Sequence, residues 1–310
     1  MNSDIADNLI TYRNFVVNRH RVWERRMAGE PAPWSDDQVL QDWKFTNVFR
    51  VLDHGSQFLL TELLNEPGIT PLDVLARSFL YRMTNRPQVW ERTKADMGYY
   101  PRAENMDADL ADFWVSLRDN CGVQVFSGAY VIMPRPGVKG ADKTRDVVNL
   151  AERYFSPWSG DGEDLIEDFL EASMYGRFNL LRSLPGVGQF LAMQILTDFG
   201  YSPYGYHQSE NDFIAPGPGA KAGAKAIDPT LKPEVMIRLC QNMMWGDEDC
   251  PVIDVGNGVK RLPSLMDIQN TLCEFSKYVR YVEKPARVKP YRPEHTPAQL
   301  QPVFPNHWSR

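Results

Sequence analysis

Two neighbouring glycines interrupt an apolar stretch in the second half of the chain and limit the folds available to it. The turn sequence Leu184-Pro185-Gly186-Val187-Gly188 lies between an apolar segment with Phe178 and Leu181 and another that begins at Gln189. Both segments follow a helical spacing, and glycine permits the positive φ angles that a tight turn between helices needs. The pattern predicts a helical hairpin.

The start of the second hairpin helix also suggests a function. A helix begins with unpaired backbone N–H groups at the positive end of its dipole, and this combination binds phosphate. Leu184, Gly186, Gly188 and Gln189 are therefore candidate contacts to a phosphate group. A plain packing turn with the same glycines is the alternative interpretation.

Further helices follow from apolar periodicity and capping residues. Thr70-Pro71-Leu72-Asp73 combines an N-cap, a first-turn proline and a first-turn acid, and Ser35 and Ser264 are further candidate caps. The expected helices cover 5–28, from 36 onward, 43–57, 70–83, 86–96, 107–120, 144–154, 163–173 and 265–281. Residues 123–133 fit a strand or a buried helix equally well, and 284–310 predicts a proline-rich, basic, extended tail. The fold class expected is mainly α.

Net charge restricts how this chain can bind nucleic acid. The 310 residues carry a net charge of -6, which argues against loose electrostatic binding and requires a local basic face. Lys139 and Lys143, in the Gly/Pro loop 134–143, are candidate DNA contacts. No apolar run approaches the length of a membrane span and no signal peptide is evident, so we expect no membrane association and a cytoplasmic location.

Metal and cofactor sites are not expected from the sequence. The four cysteines, Cys121, Cys240, Cys250 and Cys273, lack a metal-binding spacing and fit reduced thiols. The acidic run 247–249 is more typical of a solvated turn than of a metal site. The oligomeric state is not indicated.

A polar stripe marks the segment 43–57. Asn47, Arg50, His54 and Gln57 fall at helical spacing, opposite the apolar residues of the same segment. A solvated helix face would normally be richer in Glu and Lys, so amide, guanidinium and imidazole groups favour a ligand-facing wall. The solvated face remains the alternative.

A second polar segment begins at Asn211-Asp212 and continues through prolines and glycines to Lys225. The alternation of Pro216-Gly217-Pro218-Gly219 predicts irregular backbone at first. Exposed amides without side-chain bulk, together with Lys221 and Lys225, suit an anion such as a diphosphate, although a simple linker is the alternative.

Three motifs in this order resemble one family. They are Pro33-Trp34-Ser35 with Phe45-Thr46-Asn47-Val48-x-Arg50-x-x-Asp53, then Asn211-Asp212-Phe213 to Gly217-Pro218-Gly219, then Leu272-Cys273-Glu274-Phe275-x-Lys277-Tyr278. The chain is similar in them to the α-glutamyl/putrescinyl thymine pyrophosphorylases of bacteriophages and to the helical domains of hydroxymethyluracil DNA kinases. The glycine turn resembles the helix-hairpin-helix of DNA glycosylases.

The resemblance implies a fold and an activity. The fold would be a helix-hairpin-helix, DNA-glycosylase-like domain over residues 1–283, with lobes near 1–100 and 101–283 and a cleft. The substrate would be double-stranded DNA whose 5-hydroxymethyluracil carries a diphosphate, flipped out of the duplex. An amino acid or polyamine would displace pyrophosphate. A phage protein of this kind would work in the host cytoplasm.

The same resemblance implies roles for residues. Asp212, with Asn211 beside it, would act as a general base or stabilise positive charge. The pyrophosphate would be received by Arg50, Gly217, Gly219, Lys221 and Lys225. Asn47 and Gln57 would read the uracil edge, and Asp53 would belong to the same substrate-binding group.

Two other functions remain open at this level. One is a monofunctional glycosylase that excises modified bases through water activated by Asp212. The other is a non-catalytic DNA-binding partner of a hydroxymethyluracil DNA kinase. The sequence contains no P-loop, so this chain is not expected to be the kinase itself, and Phe190 stands where some glycosylases carry a lyase lysine.

Overall fold

Helices dominate a computed structural model of the protein, which describes residues 3–128, 142–158, 161–283 and 301–309. The α-helices of these ranges are α1 (Ser3–Met27), α2 (Gln38–Asp42), α3 (His54–Phe58), α4 (Pro71–Thr84), α5 (Pro87–Met97), α6 (Ala108–Cys121), α7 (Lys143–Phe155), α8 (Asp161–Glu171), α9 (Met174–Ser183), α10 (Gln189–Tyr201), α11 (Pro218–Ile227), α12 (Pro233–Trp245) and α13 (Leu265–Glu283). The expectation of a mainly α fold is confirmed.

Short elements complete the described chain. Tight 3-10 turns lie at Arg50–Leu52, Ala103–Asn105, Gly205–His207 and Asn306–Ser309, and a π turn at Leu59–Leu63 extends α3. Strands β1 (Ile253–Asp254) and β2 (Lys260–Arg261) pair antiparallel, with Ile253 opposite Arg261. Three successive residues with positive φ, Gly256, Asn257 and Gly258, close this hairpin.

The chain divides into two compact units. The first contains Met1–Asp53 and Ser209–Arg310, and the second contains His54–Gln208. The boundaries therefore fall near residues 53 and 208, whereas the sequence suggested lobes that meet near residue 100. None of the helices in the described ranges is long and apolar enough to cross a bilayer.

Aromatic packing between α1 and α13 forms the core of the first unit. Tyr12 is fully buried and shares a hydrogen bond of 2.6 Å with the hydroxyl of Thr271. Its ring meets Phe275 edge to face at 5.3 Å between centroids, and Phe15 lies 4.9 Å from the ring of Tyr278. Edge and tilted contacts of this kind add to the burial of apolar area, so α13 is the central helix of this unit.

Two glycines let α11 approach α13 closely. Gly219 and Gly223 are four residues apart and therefore lie on one face of α11. A Cβ atom at Gly219 would clash with Sγ of Cys273, and one at Gly223 would clash with the backbone carbonyl of Leu272. The close contact requires glycine at both positions.

In the second unit α4 is the buried central helix. The N-cap predicted at Thr70 is confirmed, and it forms a capping box: the Thr70 hydroxyl accepts from the Asp73 N–H, and the Asp73 carboxylate accepts from the Thr70 N–H. Farther along, Arg77 donates to three backbone carbonyls, and Arg82 forms a buried bidentate pair with Asp198 of α10. Both buried arginines of α4 therefore have hydrogen-bond acceptors within the protein.

The segment 43–57 does not form the single helix that its spacing predicted. Residues 43–49 are irregular, a 3-10 turn follows at Arg50–Leu52, and α3 belongs to the second unit. Local hydrogen bonds compete with the helix, because the Asn47 amide donates to the carbonyl of Leu52 and the Asp53 carboxylate accepts from the Asn47 N–H.

Two smaller expectations are also wrong. The segment from Pro218 is helical rather than irregular, because proline is tolerated in a first helical turn and the glycines face α13. Asp37, not Ser35, caps α2 by accepting from Val39 and Leu40. Ser264 does cap α13, in a reciprocal arrangement with Asp267.

Candidate functional site

In the first unit α13 brings together two segments that are far apart in sequence. The N–H of Arg50 donates to Oδ1 of Asp267 at 2.7 Å, which anchors the 3-10 turn. The N–H of Gly217 donates to Oε1 of Gln269 at 3.2 Å, which anchors the start of α11. The polar turn at Arg50 and the glycine-rich helix start at Gly217 therefore pack on the same helix.

The guanidinium of Arg50 is buried without compensation. The residue is only 9% exposed, and among the described residues no acceptor bonds its Nε or Nη2. Its charge interacts with the carboxylate of Asp53 and with Cys273. Buried donors without an acceptor are costly, and native proteins seldom retain them without a role. An anionic ligand would supply the missing acceptors.

Asp53 lies beside this guanidinium. Its Oδ1 accepts from the N–H of Asn47 at 2.9 Å, while no described residue donates a hydrogen bond to Oδ2. The residue is half-buried. Burial raises the pKa of Asp53 to about 6, against the opposing effects of Arg50 and the Asn47 N–H. The carboxyl group thus titrates close to neutral pH.

The start of α11 adds an electropositive backbone. Gly217 is the N-cap residue, with extended φ and ψ of -73° and 168°, and no side chain in the described structure caps the helix. Pro218 and Gly219 follow without polar side chains, so the N-terminus presents its partial positive charge directly. Lys221 and Lys225 are exposed on the same helix.

The side chains of Asn47 and Arg19 form hydrogen bonds within the protein. The Asn47 side chain accepts from Nη2 of Arg19 at 2.8 Å and donates to Leu52 at 2.6 Å. Arg19 also donates to the backbone carbonyls of Phe45 and Thr46. Each end of the Asn47 amide has one partner within the protein, and its role at a uracil edge stays a prediction.

Several polar residues of α13 join the site without having been assigned to it from the sequence. Glu274 accepts from the N–H of Thr46 at 3.1 Å and pairs with Lys277 at 2.5 Å. Burial raises the pKa of the Cys273 thiol and of the Asp267 carboxyl. Asp267 could have been found as the N3 partner of the Ser264 cap, and Glu274 and Lys277 as charges three residues apart on one helix face.

Asn211 and Asp212 differ from each other in their surroundings. Oδ1 of Asn211 accepts from Gln241 of α12 at 2.7 Å and from the N–H of Leu265 at 3.2 Å. The Asp212 residue is exposed, and its backbone carbonyl accepts from Arg238 at 3.1 Å. Asn211 joins two helices, whereas the Asp212 side chain is on the surface.

The glycine turn of the second unit connects α9 and α10 as a helical hairpin. Gly186 has a φ of +87°, and the N–H of Val187 donates to Leu184 at 3.0 Å. Gly188 instead has an extended conformation, with φ -78°, as the N-cap of α10. In the described structure no side chain caps α10, and both glycines are exposed.

The remaining predicted contacts lie elsewhere. Lys139 is outside the described residues, as is most of the loop 134–143. Lys143 begins α7 with its ammonium 4.2 Å from the centre of the Phe126 ring, and burial lowers its pKa. Gln57 lies half-buried in α3 of the second unit. Lys143 is thus a helix residue rather than part of a basic finger.

Acidic groups in the described ranges do not form a metal site. No cluster of three or more potential ligands occurs among these residues. In the acidic run 247–249, Asp247 and Asp249 both pair with Arg13 of α1, and Asp249 also pairs with Arg21. These acids connect the turn to α1.

The geometry around Arg50 suits an anion next to a group that exchanges protons. A buried guanidinium provides directional donors, and the helix start provides partial positive charge. The neighbouring Asp53 carboxyl titrates near pH 6. Such a site can bind a phosphate-containing group and move a proton beside it.

A family model described as "5-hmdU DNA kinase, helical domain" matches residues 7–287 of the chain. A 5-hmdU DNA kinase of Bacillus phage SP10 is 26% identical over 292 residues, covering 86% of this chain and 44% of the kinase. The chain thus spans less than half the length of this curated relative. No solved structure matches the chain.

Proposed function

The chain belongs to the family of 5-hmdU DNA kinase helical domains, and from this membership we propose that it transfers an amine to an activated thymine derivative in DNA. The relation to these helical domains confirms one part of the resemblance noted from the sequence. The curated relative is named as a kinase acting on 5-hmdU DNA, which supports a role in thymine hypermodification. The pyrophosphorylase reaction itself goes beyond this family relation and is our proposal.

The proposed substrate is DNA that carries 5-hydroxymethyluracil as its diphosphate ester. A primary amine of an amino acid or polyamine attacks the methylene carbon, and a C–N bond forms as the C–O bond breaks. The electron pair of the C–O bond leaves with pyrophosphate, and the amine gives up one proton. The glycosidic bond stays intact.

The observation that carries this proposal is the buried, uncompensated guanidinium of Arg50. The turn that carries Arg50 and the start of α11 are both anchored on α13, and no side chain in the described structure caps α11. A diphosphate has enough oxygen acceptors to satisfy both Nε and Nη2 of Arg50. Lys221 and Lys225 would add screened attraction from the surface.

Other residues receive supporting roles in the proposal. Asp212, whose carboxylate is exposed, would stabilise positive charge that develops at the methylene carbon. In the second unit, the start of α10 at Gly188 and Gln189 would bind a DNA backbone phosphate, next to the turn at Leu184 and Gly186.

Transfer is tested with duplex DNA that carries the diphosphorylated base, incubated with putrescine or with an amino acid mixture. The nucleosides are then identified by mass spectrometry, and released pyrophosphate is measured in the same reaction. We expect an aminated thymidine and an equal amount of pyrophosphate. Arg50→Gln should abolish both, while Arg280→Gln, an exposed arginine on the same α13, should retain both.

A non-catalytic role is the second candidate. The chain matches only 44% of the length of the related kinase, and the family model that it matches describes a helical domain. In that case the protein would bind the modified duplex and produce neither nucleoside nor pyrophosphate. Abasic sites in the product would instead indicate a glycosylase. The three outcomes are distinct in one assay.

A further inference from the structure

We infer that Asp53 forms the binding site for the primary ammonium group of the co-substrate and accepts its proton, directly beside the diphosphate site at Arg50. This inference rests on the proposed function and deepens it, because it places the nucleophile. The sequence assigned the catalytic acid–base role to Asp212. The contacts in the first unit favour Asp53 instead.

The two oxygens of Asp53 have different environments. Oδ1 is fixed by the N–H of Asn47 at 2.9 Å. No described residue donates a hydrogen bond to Oδ2, and the residue is half-buried. One oxygen therefore orients the carboxylate, and the other is available to an external N–H donor.

The neighbouring charges support a cationic ligand at this oxygen. Arg50 and Asp53 are close enough to interact electrostatically, yet within the described residues their charged atoms form no ion pair within 4 Å. The buried carboxylate of Glu274, which pairs with Lys277, makes a smaller contribution that also raises the pKa of Asp53. In this proposal Arg50 binds the anionic pyrophosphate and Asp53 binds the cationic ammonium group. The leaving group and the nucleophile are then neighbours.

Asp212 offers less for this step. Its residue is exposed, and an exposed carboxylate holds an ammonium group only weakly in water. Asp53 is half-buried, and burial raises its pKa to about 6. A base whose pKa is closer to the working pH accepts a proton more effectively.

Proton transfer to Asp53 precedes attack by the amine in the proposed step. The ammonium group donates one proton to Oδ2 of Asp53 and becomes a neutral amine with a free electron pair. That pair forms the C–N bond at the methylene carbon, and the C–O bonding pair leaves with pyrophosphate. The new secondary amine carries the positive charge, and Asp53 later releases its proton to solvent.

Binding of the ammonium group can be measured without turnover. Titration calorimetry with putrescine and, separately, with glutamate would compare the wild type with Asp53→Asn, which keeps an acceptor for the Asn47 N–H. We expect Asp53→Asn to weaken amine binding by at least about tenfold, as loss of a charge-assisted bond predicts. Asp36→Asn, an exposed acid in the same unit, should bind as the wild type does. The amine that binds identifies the source of the ammonium group.

The wild-type protein provides a second test that needs no variant. The charged groups that act on Asp53 are Arg50, Arg19 and Glu274. Amine affinity should therefore fall as the pH decreases through about 6, where Asp53 takes up its proton. Unchanged amine binding in Asp53→Asn, or affinity that is flat across this range, would overturn the assignment.

Failure of this inference and failure of the proposed function give different results. If Asp53→Asn transfers the amine at the wild-type rate, Asp53 has no role in the reaction, but the proposed transfer activity is still supported. If amine binding depends on Asp53 but no pyrophosphate is released, the ammonium site is supported and the transfer reaction is contradicted. Pyrophosphate binding should survive in Asp53→Asn, because that substitution removes a negative charge near Arg50.

Discussion

The backbone N–H of Arg50 donates to Oδ1 of Asp267 at 2.7 Å, while two donors of the Arg50 guanidinium remain buried without an acceptor. The first contact fixes the 3-10 turn on α13 through the main chain. The side chain is therefore positioned without being neutralised. This separation of anchoring from charge compensation is what makes Arg50 a candidate ligand group.

Replacement of Arg50 should separate ligand binding from stability. Arg50→Gln keeps the N–H that binds Asp267 but removes the guanidinium, so pyrophosphate affinity should fall by at least about tenfold, or about 1.4 kcal/mol. The free energy of unfolding should stay equal or increase, because a buried, unsatisfied charge is lost. Calorimetric titration with pyrophosphate and urea denaturation measure the two quantities. A large loss of stability with unchanged affinity would contradict the assignment.

Gly223 should not tolerate alanine. Alanine normally favours a helix over glycine by about 1 kcal/mol, but a Cβ atom here would meet the backbone carbonyl of Leu272, which no rotamer change can move. Gly223→Ala should therefore lower the melting temperature. The control is Gly188→Ala, where φ is -78° and a Cβ atom would meet open space, so only the preference for glycine over alanine at an N-cap is lost and the melting temperature should fall much less.

The buried pair of Arg82 and Asp198 should be essential to the second unit. The two side chains are 3% and 0% exposed and form contacts of 2.6 and 2.5 Å. Asp198→Ala would remove the counter-ion of the buried Arg82 guanidinium, and the free energy of unfolding should decrease by about 3–5 kcal/mol. The exposed pair of Arg92 and Asp96 is the control, since Asp96→Ala should cost less than about 1 kcal/mol in denaturant unfolding.

His20 should make the first unit sensitive to acid. Burial lowers the pKa of His20 to about 4, so the folded state resists a proton that the unfolded chain accepts near pH 6.5. Stability is therefore complete above pH 6.5 and decreases as the pH falls toward 4, by at most about 1.4 kcal/mol per pH unit. His20→Phe, which retains a ring beside Trp23 and Phe49, should remove this dependence.

Asp53 contributes with the opposite sign over part of the same range. Its pKa is raised in the folded state, so protonation between pH 6 and 4 favours folding. The acid dependence of His20 is therefore best measured as the difference between wild type and His20→Phe at each pH. A difference that does not change between pH 7 and 4.5 would show that His20 takes up its proton equally in both states.

Local signals explain which helices the sequence could predict. Thr70 with Asp73, and Ser264 as the α13 cap, identified two helix starts because each cap is complete within four residues. The segment 43–57 could not be predicted in this way, because its conformation depends on partners more than 200 positions away. The Thr46 N–H donates to Glu274, and Asn270 donates to the Asn47 carbonyl.

The site was accessible from sequence only in part. Arg50 and the Gly217–Gly219 region were recognisable as anion-binding groups by their chemistry, but their common support on α13 depends on tertiary packing. The helical start of α11 was missed, because its glycines serve contact with Cys273 and Leu272 rather than a flexible loop. The sequence also ranked Asp212 above Asp53, since burial and its effect on pKa are not visible in a linear pattern.

The bond that breaks provides the most direct test of the proposed reaction. DNA is prepared with ¹⁸O at the hydroxymethyl oxygen of the diphosphorylated base, and the protein is added with the amine that binds it. Attack at the methylene carbon transfers this oxygen to the leaving group, so the account predicts labelled pyrophosphate together with an unlabelled aminated thymidine. Recovery of the label in 5-hydroxymethyluridine, with unlabelled pyrophosphate, would mean hydrolysis at phosphorus and would contradict amine transfer.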